Sequence, residues 1–305
     1  MKTIAAIDLG SNAMRGVIAR IHQHEIEEVK EFRFPLRLGE EVFKTGKISA
    51  DKLNETENAF IELFHSFMEY NVTEVKALAT SAMREASNSG KLQESILNST
   101  GIYLETISGN LEASLILSAV ENQITLRKKT AVLMDIGGGS TEFTIIQNNR
   151  ILGSKSFNVG TVRLLEYKSE SDLNHHINNE LEKILDFIQL HLEKRPDLFI
   201  GTGGNLRRIG KIRKSVLGKS SSEFASLQEI GQMEKSILRM SYIDRIRKLE
   251  LDQNRADVIL PAIILTHDLM KSLKMKKIIL PKVGLKEGIL LSMTPTGPKQ
   301  FKLLD

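Results

Sequence analysis

The chain begins the same structural pattern twice, and this repetition limits the folds open to it. An apolar run that ends in aspartate and glycine, AIDLGSN, opens the sequence, and LMDIGGGSTEF repeats the arrangement later. Each copy continues with further strand-like runs and then with predicted helices. The leading aspartates, Asp8 and Asp135, lie about one domain length apart. We therefore expect an α/β protein of two similar domains, 1–126 and 127–305, with a ligand cleft between the halves.

Hydrophobic patterns outline the elements of each half. Strands are predicted at TIAAID, GVIARI, EIEEVKEF, EVKALAT and YLETIS, with helices through ADKLNETENAFIELFHSFMEY, near NSGKLQESILN and from NLEASLILSAVENQI. Three strand-like runs open the second half, and a long helix follows around residues 170–194. After the strand DLFIGTGG the sequence reads as mostly helical to residue 273. The strand KKIILP and a last helix from LKEGILLSM then complete the second domain.

Composition excludes several classes of function. The 305 residues include no cysteine, which excludes disulfides, thiolate metal sites and cysteine nucleophiles, and no HExxH zinc pattern occurs. Tryptophan is absent and the net charge is only +4, so nucleic-acid binding has little support, whereas a polyanion in a local basic cleft is compatible. No stretch approaches the roughly 20 apolar residues of a membrane span. We expect a cytoplasmic protein that binds neither nucleic acid nor membrane.

Three loops with glycine and small polar residues follow predicted strands. They are AIDLGSNAM, LMDIGGGSTEF and FIGTGGNLRRIG, the last including Gly203 and Gly204. Glycine turns free backbone N–H groups to form anion-binding nests, and a helix start adds positive potential. A tight turn would explain one such loop, but three, two of which open the repeated halves, favour phosphate binding. Walker A and dinucleotide-binding patterns are absent, so paired hairpin turns would hold the phosphate.

Carboxylates at these loops predict a divalent cation. Asp8 and Asp135 stand at the starts of the two hairpin loops, and Glu142 follows on the neighbouring strand. A carboxylate beside a phosphate is repelled unless a cation shared through oxygen ligands cancels the charge. Mg²⁺ is the expected ion, and Mn²⁺ is an alternative.

Eight motifs in order resemble one family, the exopolyphosphatase and guanosine-pentaphosphate phosphohydrolase (Ppx/GppA) phosphatases, in their short two-domain form. The motifs are AIDLGSN, ALATSAMREASN, ISGNLEA, DIGGGSTE, VGTVRL, GTGGN, RADVILPAIIL and GLKEGIL. The resemblance runs nearly end to end. It implies a duplicated ribonuclease H-like fold of the actin, Hsp70 and sugar-kinase type. It also implies magnesium-assisted hydrolysis of a terminal phosphoanhydride.

The resemblance also assigns site residues. Glu112 of SGNLEA corresponds to the general base that activates water, and Arg84 of SAMREASN to a phosphate-binding arginine. Asp135 and Glu142 correspond to metal-associated acids. The phosphate loops correspond to Asp8, Gly10, Ser11 and Asn12 in the first half and to Gly137, Gly138, Gly139 and Ser140 in the second. Both residues also have a purely structural interpretation. Glu112 could be an acid that complements a helix dipole, and Arg84 could be a surface residue at the start of a helix.

Three positions depart from the family pattern. Leu111 stands where a second acid is common, Ala13 where a small hydroxyl is frequent, and Asn205 where threonine is usual. A phosphatase that lacks hydroxyls at these loops could have altered affinity or ion dependence.

A basic segment follows the third loop. In GNLRRIGKIRK, residues 207, 211 and 214 would share one face of a helix, with 208 beside them and Arg213 in the same run. Arg207 is therefore a further candidate phosphate-binding residue, and this face could hold phosphates further along a polymer. An ordinary solvated basic face is an equally good interpretation.

The preferred function is an exopolyphosphatase that releases orthophosphate from linear polyphosphate by in-line attack of water. One alternative is removal of the 5′-terminal phosphate of guanosine pentaphosphate, which uses the same chemistry. Another is a weakly active or inactive sensor of polyphosphate or guanosine phosphates, an interpretation that the three departures support. A homodimer is expected by analogy alone.

Overall fold

The computed structural model describes residues 2–22, 25–167, 170–294 and 300–302. Contacts along the chain divide it into a first unit, Met1–Ile124 with Val283–Asp305, and a second unit, Thr125–Lys282. Each unit contains a mixed six-stranded sheet and an apolar core of its own. The predicted α/β class with a duplicated fold is confirmed.

Helices and strands are numbered here along the whole chain, and each unit is described separately. The first unit contains β1 (Lys2–Leu9), β2 (Met14–His22), β3 (Glu25–Phe34), α1 (Leu38–Thr45), α2 (Ala50–Glu69), β4 (Glu74–Ala79), α3 (Ser81–Glu85), α4 (Ser89–Thr100), β5 (Leu104–Thr106), α5 (Gly109–Glu121), α12 (Leu285–Ser292) and β12 (Gln300–Lys302).

The second unit contains the remaining elements. They are β6 (Thr130–Ile136), β7 (Thr141–Gln147), β8 (Arg150–Phe157), a 3₁₀ turn (Arg163–Glu166), α6 (Glu170–His191), β9 (Leu198–Thr202), α7 (Gly204–Leu217), β10 (Phe224–Ser226), α8 (Leu227–Leu238), α9 (Tyr242–Leu249), α10 (Gln253–Ala256), α11 (Ile259–Ser272) and β11 (Lys277–Ile279).

The two sheets share a strand arrangement. In the first, β1 pairs antiparallel with β2 and parallel with β4, and β2 pairs antiparallel with β3. In the second, β6 pairs antiparallel with β7 and parallel with β9, and β7 pairs antiparallel with β8. Each sheet therefore has a hairpin turn next to its central strand. The runs IAAIDL and AVLMDI are mostly apolar because these central strands are covered on both faces.

The last helix corrects the predicted domain boundaries. The first boundary, near residue 126, lies close to the observed division, but residues from Val283 onward belong to the first unit rather than to the second. There α12 packs against α5 and β1, and the absence of a side chain at Gly288 lets the helix approach the backbone of Leu115. The buried ammonium of Lys286 lies 2.9 Å from a carboxylate oxygen of Glu28 on β3. Pattern analysis follows chain order and does not reveal which sheet a terminal helix joins.

Smaller differences concern short elements. The strand β10 interrupts a region that was expected to be mostly helical, and the sequence predicted neither α1 nor α3. Each is held by partners distant in sequence rather than by a long apolar period. Within the described residues, no helix combines the length and apolarity that crossing a membrane requires.

Candidate active site

The GGGS loop between β6 and β7 is held by the segment that follows β8. The carbonyl of Gly138 accepts hydrogen bonds from the amides of Val162, at 2.8 Å, and Arg163, at 3.1 Å. The carbonyl of Gly139 accepts one from Nε of Arg163 at 2.7 Å. Thr161 donates its amide to Gly137 at 3.1 Å. The loop carbonyls are thus turned toward residues 161–163.

This arrangement leaves amides of the loop available. Gly137 donates its amide to the carbonyl of Ser140 at 3.0 Å, which closes the turn. The amides of Gly138 and Gly139 donate to no acceptor within the described ranges of the chain. Backbone N–H groups presented in this way form the nests that bind anionic oxygens. Phosphate binding by this loop stays a prediction.

Gly160 brings the supporting segment against the loop. A Cβ atom at this position would overlap the backbone of Gly138, Gly139 and Ser140. Thr141 adds a hydrogen bond from its buried hydroxyl to the carbonyl of Val159. Only a residue without a side chain allows this approach, so Gly160 helps to set the shape of the loop.

Asp135 and Glu142 form a carboxylate pair beside the loop. They are directly opposite each other on β6 and β7, and a carboxylate oxygen of one lies within 4.8 Å of one of the other. Thr202 donates its hydroxyl to Asp135 at 2.9 Å, and the hydroxyls of Ser140 and Ser156 donate to the same oxygen of Glu142. Glu142 is buried. Two carboxylates in this position repel each other unless a cation lies between them.

The third loop lies next to the same carboxylates. Gly203 has φ of 90°, and a Cβ there would lie 2.6 Å from Oδ1 of Asp135, so this position requires glycine. Gly204 begins α7, whose first turn presents unsatisfied amides. Asn205 is buried and donates from Nδ2 to the hydroxyl of Thr161 at 2.9 Å. This departure from the family pattern thus joins the start of α7 to the segment that holds the GGGS loop.

In the first unit, the DLGSN loop is held to α3 and α1. The hydroxyls of Ser11 and Ser81 share a hydrogen bond of 2.8 Å, and Ser11 also accepts one from the amide of Ala82. Gly10 donates its amide to the carbonyl of Ala13, and the carbonyl of Asn12 accepts from the amide of Arg37. The hydroxyl of Ser11 therefore fixes the loop to α3, and a phosphate contact at Ser11 stays a prediction.

Arg84 and Glu112 form an ion pair within the first unit. Nη1 of Arg84, on α3, donates to Oε2 of Glu112 at 3.0 Å and to the carbonyl of Ile107 at 2.9 Å. Glu112 lies in the first turn of α5, where Ser108 accepts a capping hydrogen bond from the amide of Leu111. Glu112 is buried. Glu112 does stand in the first turn of α5, where an acid complements the helix dipole, and Arg84 is half-buried, so a catalytic role for either residue stays a prediction.

The other departures have different environments. Ala13 is buried, whereas Leu111 exposes 42% of its surface although it is a large apolar residue. Leu111 immediately precedes Glu112, so the position where an acid is common carries an exposed hydrocarbon side chain instead.

The basic residues of α7 separate into two groups. Lys211 and Lys214 are exposed, and Arg207 and Arg208 are half-buried. Arg213 is buried instead: its guanidinium donates through Nε and Nη2 to the two carboxylate oxygens of Glu229 on α8, at 2.9 and 2.8 Å. Arg213 therefore joins α7 to α8 and is not part of a polymer-binding face.

The pair of the buried Arg213 and the half-buried Glu229 gives a pH-dependent contribution to stability. Hydrogen bonds from Arg213, and further ones from Ser226, lower the pKa of Glu229 to about 2. The contribution is complete above the ordinary glutamate value of about 4.5 and is lost as the pH falls toward 2. We expect Glu229→Gln to cost about 2 kcal/mol at neutral pH, because it weakens hydrogen bonds to a buried charge.

The measurement is thermal unfolding of both proteins between pH 7 and pH 3. The difference in unfolding temperature between the parent and Glu229→Gln should become smaller below pH 4.5. The control Glu223→Gln, at an exposed position, should unfold close to the parent temperature at every pH. A constant difference across this range would contradict the assignment.

The predicted site residues thus fall into two groups, one in each unit. The first unit brings together the DLGSN loop, α3 with Arg84, and Glu112; the second brings together the acid pair, the GGGS loop and the third loop. Sequence analysis gave no role to Gly160, Thr161 and Arg163. The signal was present in the VGTVRL motif, but its role depends on hydrogen bonds to a loop 24 residues earlier in the chain.

Comparison with known proteins places these features in a family. Residues 17–297 match the Ppx/GppA phosphatase family. The chain is 25% identical to exopolyphosphatase 2 of Mycobacterium tuberculosis over 296 residues, which cover 89% of this chain and 91% of that protein. The crystal structure of an exopolyphosphatase from Cytophaga hutchinsonii superposes with a TM-score of 0.87, at 25% identity, over 96% of this chain and 97% of that one.

Two longer relatives are similar over part of their length. The chain is 27% identical to a guanosine-5′-triphosphate,3′-diphosphate pyrophosphatase of Pseudoalteromonas translucida over 95% of its own residues but 59% of that protein. It is also 27% identical, over 87% of its residues, to a bifunctional 3-dehydroquinate synthase/phosphatase of Fusobacterium nucleatum, of which it spans 43%. The chain thus spans about half the length of these two relatives.

Proposed function

The chain belongs to the Ppx/GppA phosphatase family, and we propose that it is an exopolyphosphatase, which removes orthophosphate from the end of inorganic polyphosphate. The observation that carries the proposal is the pair of the half-buried Asp135 and the buried Glu142 beside a glycine loop whose carbonyls are hydrogen-bonded to residues 161–163. Such a site suits a phosphate group with a divalent cation. Polyphosphate is preferred because exopolyphosphatase 2 of Mycobacterium tuberculosis and the exopolyphosphatase from Cytophaga hutchinsonii both match over nearly their whole length.

The donor set of the second unit fits Mg²⁺. Asp135 and Glu142 offer hard oxygen ligands, and the like charges that face each other are stabilised by a cation. Hydroxyl donors hold both carboxylates in place, which orients them as ligands. When bound, the ion would neutralise negative charge on the phosphoryl oxygens. Mn²⁺ satisfies the same requirements.

Side chains of the first unit would supply the remaining chemistry. We assign Glu112 as the base that takes the proton from the attacking water while the terminal phosphoanhydride bond breaks. Nη1 of Arg84 donates a hydrogen bond to Oε2 of Glu112 at 3.0 Å, which orients the carboxylate for this role. Arg84 would also offset charge on the transferred phosphoryl group. The loop amides of Gly138 and Gly139 would hold its oxygens.

The remaining phosphate contacts are proposals of the same kind. Loop backbone at Asp8, Gly10, Ser11 and Asn12 and the start of α7 at Gly203 and Gly204 would approach phosphate oxygens. Arg207, with the exposed Lys211 and Lys214, would bind phosphates further along the polymer by point-charge contacts.

Guanosine pentaphosphate is the alternative substrate. The similarity to the pyrophosphatase of Pseudoalteromonas translucida favours it, and its terminal phosphoanhydride needs the same chemistry. The exposed Leu111, where the family commonly has an acid, favours instead a weakly active sensor of either ligand.

The test is orthophosphate release from long-chain polyphosphate and from guanosine pentaphosphate, each with and without Mg²⁺. Magnesium-dependent release, faster from polyphosphate, is the expected result. Faster release from the nucleotide would replace the proposed substrate, and binding of either compound without release would favour the sensor.

The proposed cation site predicts a change in thermal stability that does not require turnover. Mg²⁺ at 100 times its dissociation constant should stabilise the protein by about 2.7 kcal/mol. Glu142→Gln should lose most of this effect, and without Mg²⁺ it should be at least as stable as the parent because the repulsion with Asp135 is removed. Glu182→Gln, at an exposed position of α6, is the control. An unchanged response to Mg²⁺ in Glu142→Gln would refute the site.

A further inference from the structure

One end of the sheet in the second unit collects segments that are far apart in the sequence. Strands β6, β9 and β11 are parallel, so the segments that lead into them reach the sheet at the same end. The turn between β7 and β8 lies there too, because Gln147 pairs with both Thr130 and Arg150. We call this end of the second unit the basic end, and it consists of residues 127–130, 147–150, 192–198 and 271–277.

Direct contacts hold the segments of the basic end together. The amide of Asp197 donates to the carbonyl of Thr130 at 2.9 Å, and the amide of Thr130 donates to Oδ2 of Asp197 at 2.8 Å. Nη1 of Arg195 donates to the carbonyl of Lys274 at 3.3 Å. The charges of these segments therefore become neighbours through the fold of the second unit.

The basic end concentrates positive charge. It contains ten basic residues and two acidic ones, Glu193 and Asp197, and the side chains of all twelve are exposed. Three of the bases lie at 127–129, one at 150, two at 194–195 and four within 271–277. Among the residues that the structure describes, none of these ten bases forms a salt bridge. Composition alone hides this surface, because in the rest of the chain acidic residues outnumber basic ones.

Exposed aliphatic side chains adjoin the basic end. Leu190, in the last turn of α6, exposes 81% of its surface, and Ile151 and Leu152, at the start of β8, expose 39% and 41%. The ring of His191 packs against Gly153, so the end of α6 lies beside the first part of β8. Aliphatic groups rimmed by charged ones are typical of surfaces that contact a membrane or another protein.

The residue types at the basic end indicate which polyanion it fits. Seven of the ten bases are lysines, whose compact charges attract an anionic surface without a fixed geometry, whereas arginine suits bidentate contacts with single phosphate groups. The four segments contain no Phe, Tyr or Trp that could stack on a nucleic-acid base. A cluster of lysines beside exposed aliphatic side chains is the combination that binds anionic lipid headgroups and enters the interfacial layer beneath them.

We propose that the basic end is a membrane-binding surface, which attaches the protein reversibly to bilayers that contain anionic lipid. The lysines are attracted by the charge of the headgroups, and Leu190 inserts beside them. Asp135 lies five residues beyond Thr130 on β6, or about 17 Å along the strand. The acid pair therefore lies at the opposite end of this sheet from the lipid, and attachment leaves it uncovered by the bilayer.

The test is co-sedimentation of the purified protein with vesicles of phosphatidylcholine alone and of equal parts phosphatidylcholine and phosphatidylglycerol. The parent should bind the anionic vesicles at low ionic strength and should lose most of this binding in about 1 M salt, where charges are screened beyond about 3 Å. Equal binding to both vesicles, or binding to duplex DNA or long-chain polyphosphate but to neither vesicle, would overturn the proposal. The measurement needs neither substrate nor Mg²⁺, so its outcome is independent of the proposed function.

A double variant tests the charges. Lys194→Gln with Lys276→Gln should bind anionic vesicles about 30-fold more weakly, because each lysine near an anionic surface contributes about fivefold in affinity. Lys91→Gln with Lys235→Gln is the matched control, because it removes the same charge from exposed positions outside the basic end. Its affinity should stay within about twofold of the parent. An equal loss in the two double variants would overturn the proposal, since net charge rather than this surface would then govern binding.

Leu190→Gln tests the aliphatic contact. It should weaken binding about tenfold, because a leucine side chain that enters the interfacial layer leaves water. Leu238→Gln, at a leucine that is 51% exposed at the end of α8, is the control and should bind like the parent. All these positions are exposed, so the variants should unfold close to the parent temperature. Parent-like affinity of Leu190→Gln would overturn the proposal, because the charges alone would then serve a soluble polyanion.

Discussion

Replacing Glu112 by glutamine is expected to lower kcat for orthophosphate release by about 10³-fold, because glutamine cannot take a proton from the attacking water. Its amide oxygen can still accept the hydrogen bond that Nη1 of Arg84 donates at 3.0 Å. The substitution should therefore remove the base while it keeps the geometry around it. KM should change much less than kcat, since a base that acts in the transition state contributes little to ground-state binding.

The measurement is steady-state release from polyphosphate at saturating Mg²⁺, with thermal unfolding of the same samples. Glu121→Gln, at the other end of α5, is the matched control and should retain parent activity. A kcat within threefold of the parent in Glu112→Gln would show that another group activates the water. A loss of activity that accompanies a large fall in unfolding temperature would instead assign Glu112 a structural role.

Gly160→Ala is expected to have the second large effect. The new methyl group would overlap backbone atoms of Gly138, Gly139 and Ser140, which cannot move aside as a flexible side chain can. We expect a loss of about 3 kcal/mol in the free energy of unfolding. Hydrolysis should fall about 10²-fold as well, because even small displacements of groups that position a substrate are costly.

Chemical denaturation and orthophosphate release together check this prediction. Gly90→Ala is the control, because its Cβ would have no atom within 4 Å and it lies inside α4. Alanine there should stabilise the protein slightly, since it favours helix more than glycine does. Parent-like stability and activity in Gly160→Ala would mean that the loop does not depend on close contact with the segment after β8.

The sequence alone predicts the local parts of this molecule. The strands of both hairpins, the glycine loops between them and the helices α2, α5 and α6 follow from hydrophobic period and turn residues, which are local properties. The sequence alone places Asp135 and Glu142 next to each other on adjacent strands, because only a short hairpin loop separates them. The acid pair is therefore the part of the candidate site that sequence analysis approaches most closely.

The parts that sequence analysis missed depend on contacts between distant segments. Nothing local marks Arg213 as buried, because its partner Glu229 lies on another helix. The same is true of Ser11, whose hydroxyl shares a hydrogen bond with that of Ser81. It is also true of Gly160, which follows β8 in the sequence but packs against the GGGS loop that precedes β7. In each case the residue type was visible, but its role was set by tertiary structure.

The return of α12 to the first unit gives the chain an order of assembly. The second unit is one uninterrupted stretch, Thr125–Lys282, inserted within the sequence of the first. During synthesis, all its residues emerge from the ribosome before the segment that completes the first unit. Until then, the surfaces of α5 and β1 that α12 covers are exposed to solvent, and Glu28 lacks its buried ammonium partner. The first unit therefore receives its last segment only after the whole of the second has been made, and a nascent chain stalled before Val283 would contain every residue of the second unit but an incomplete first one.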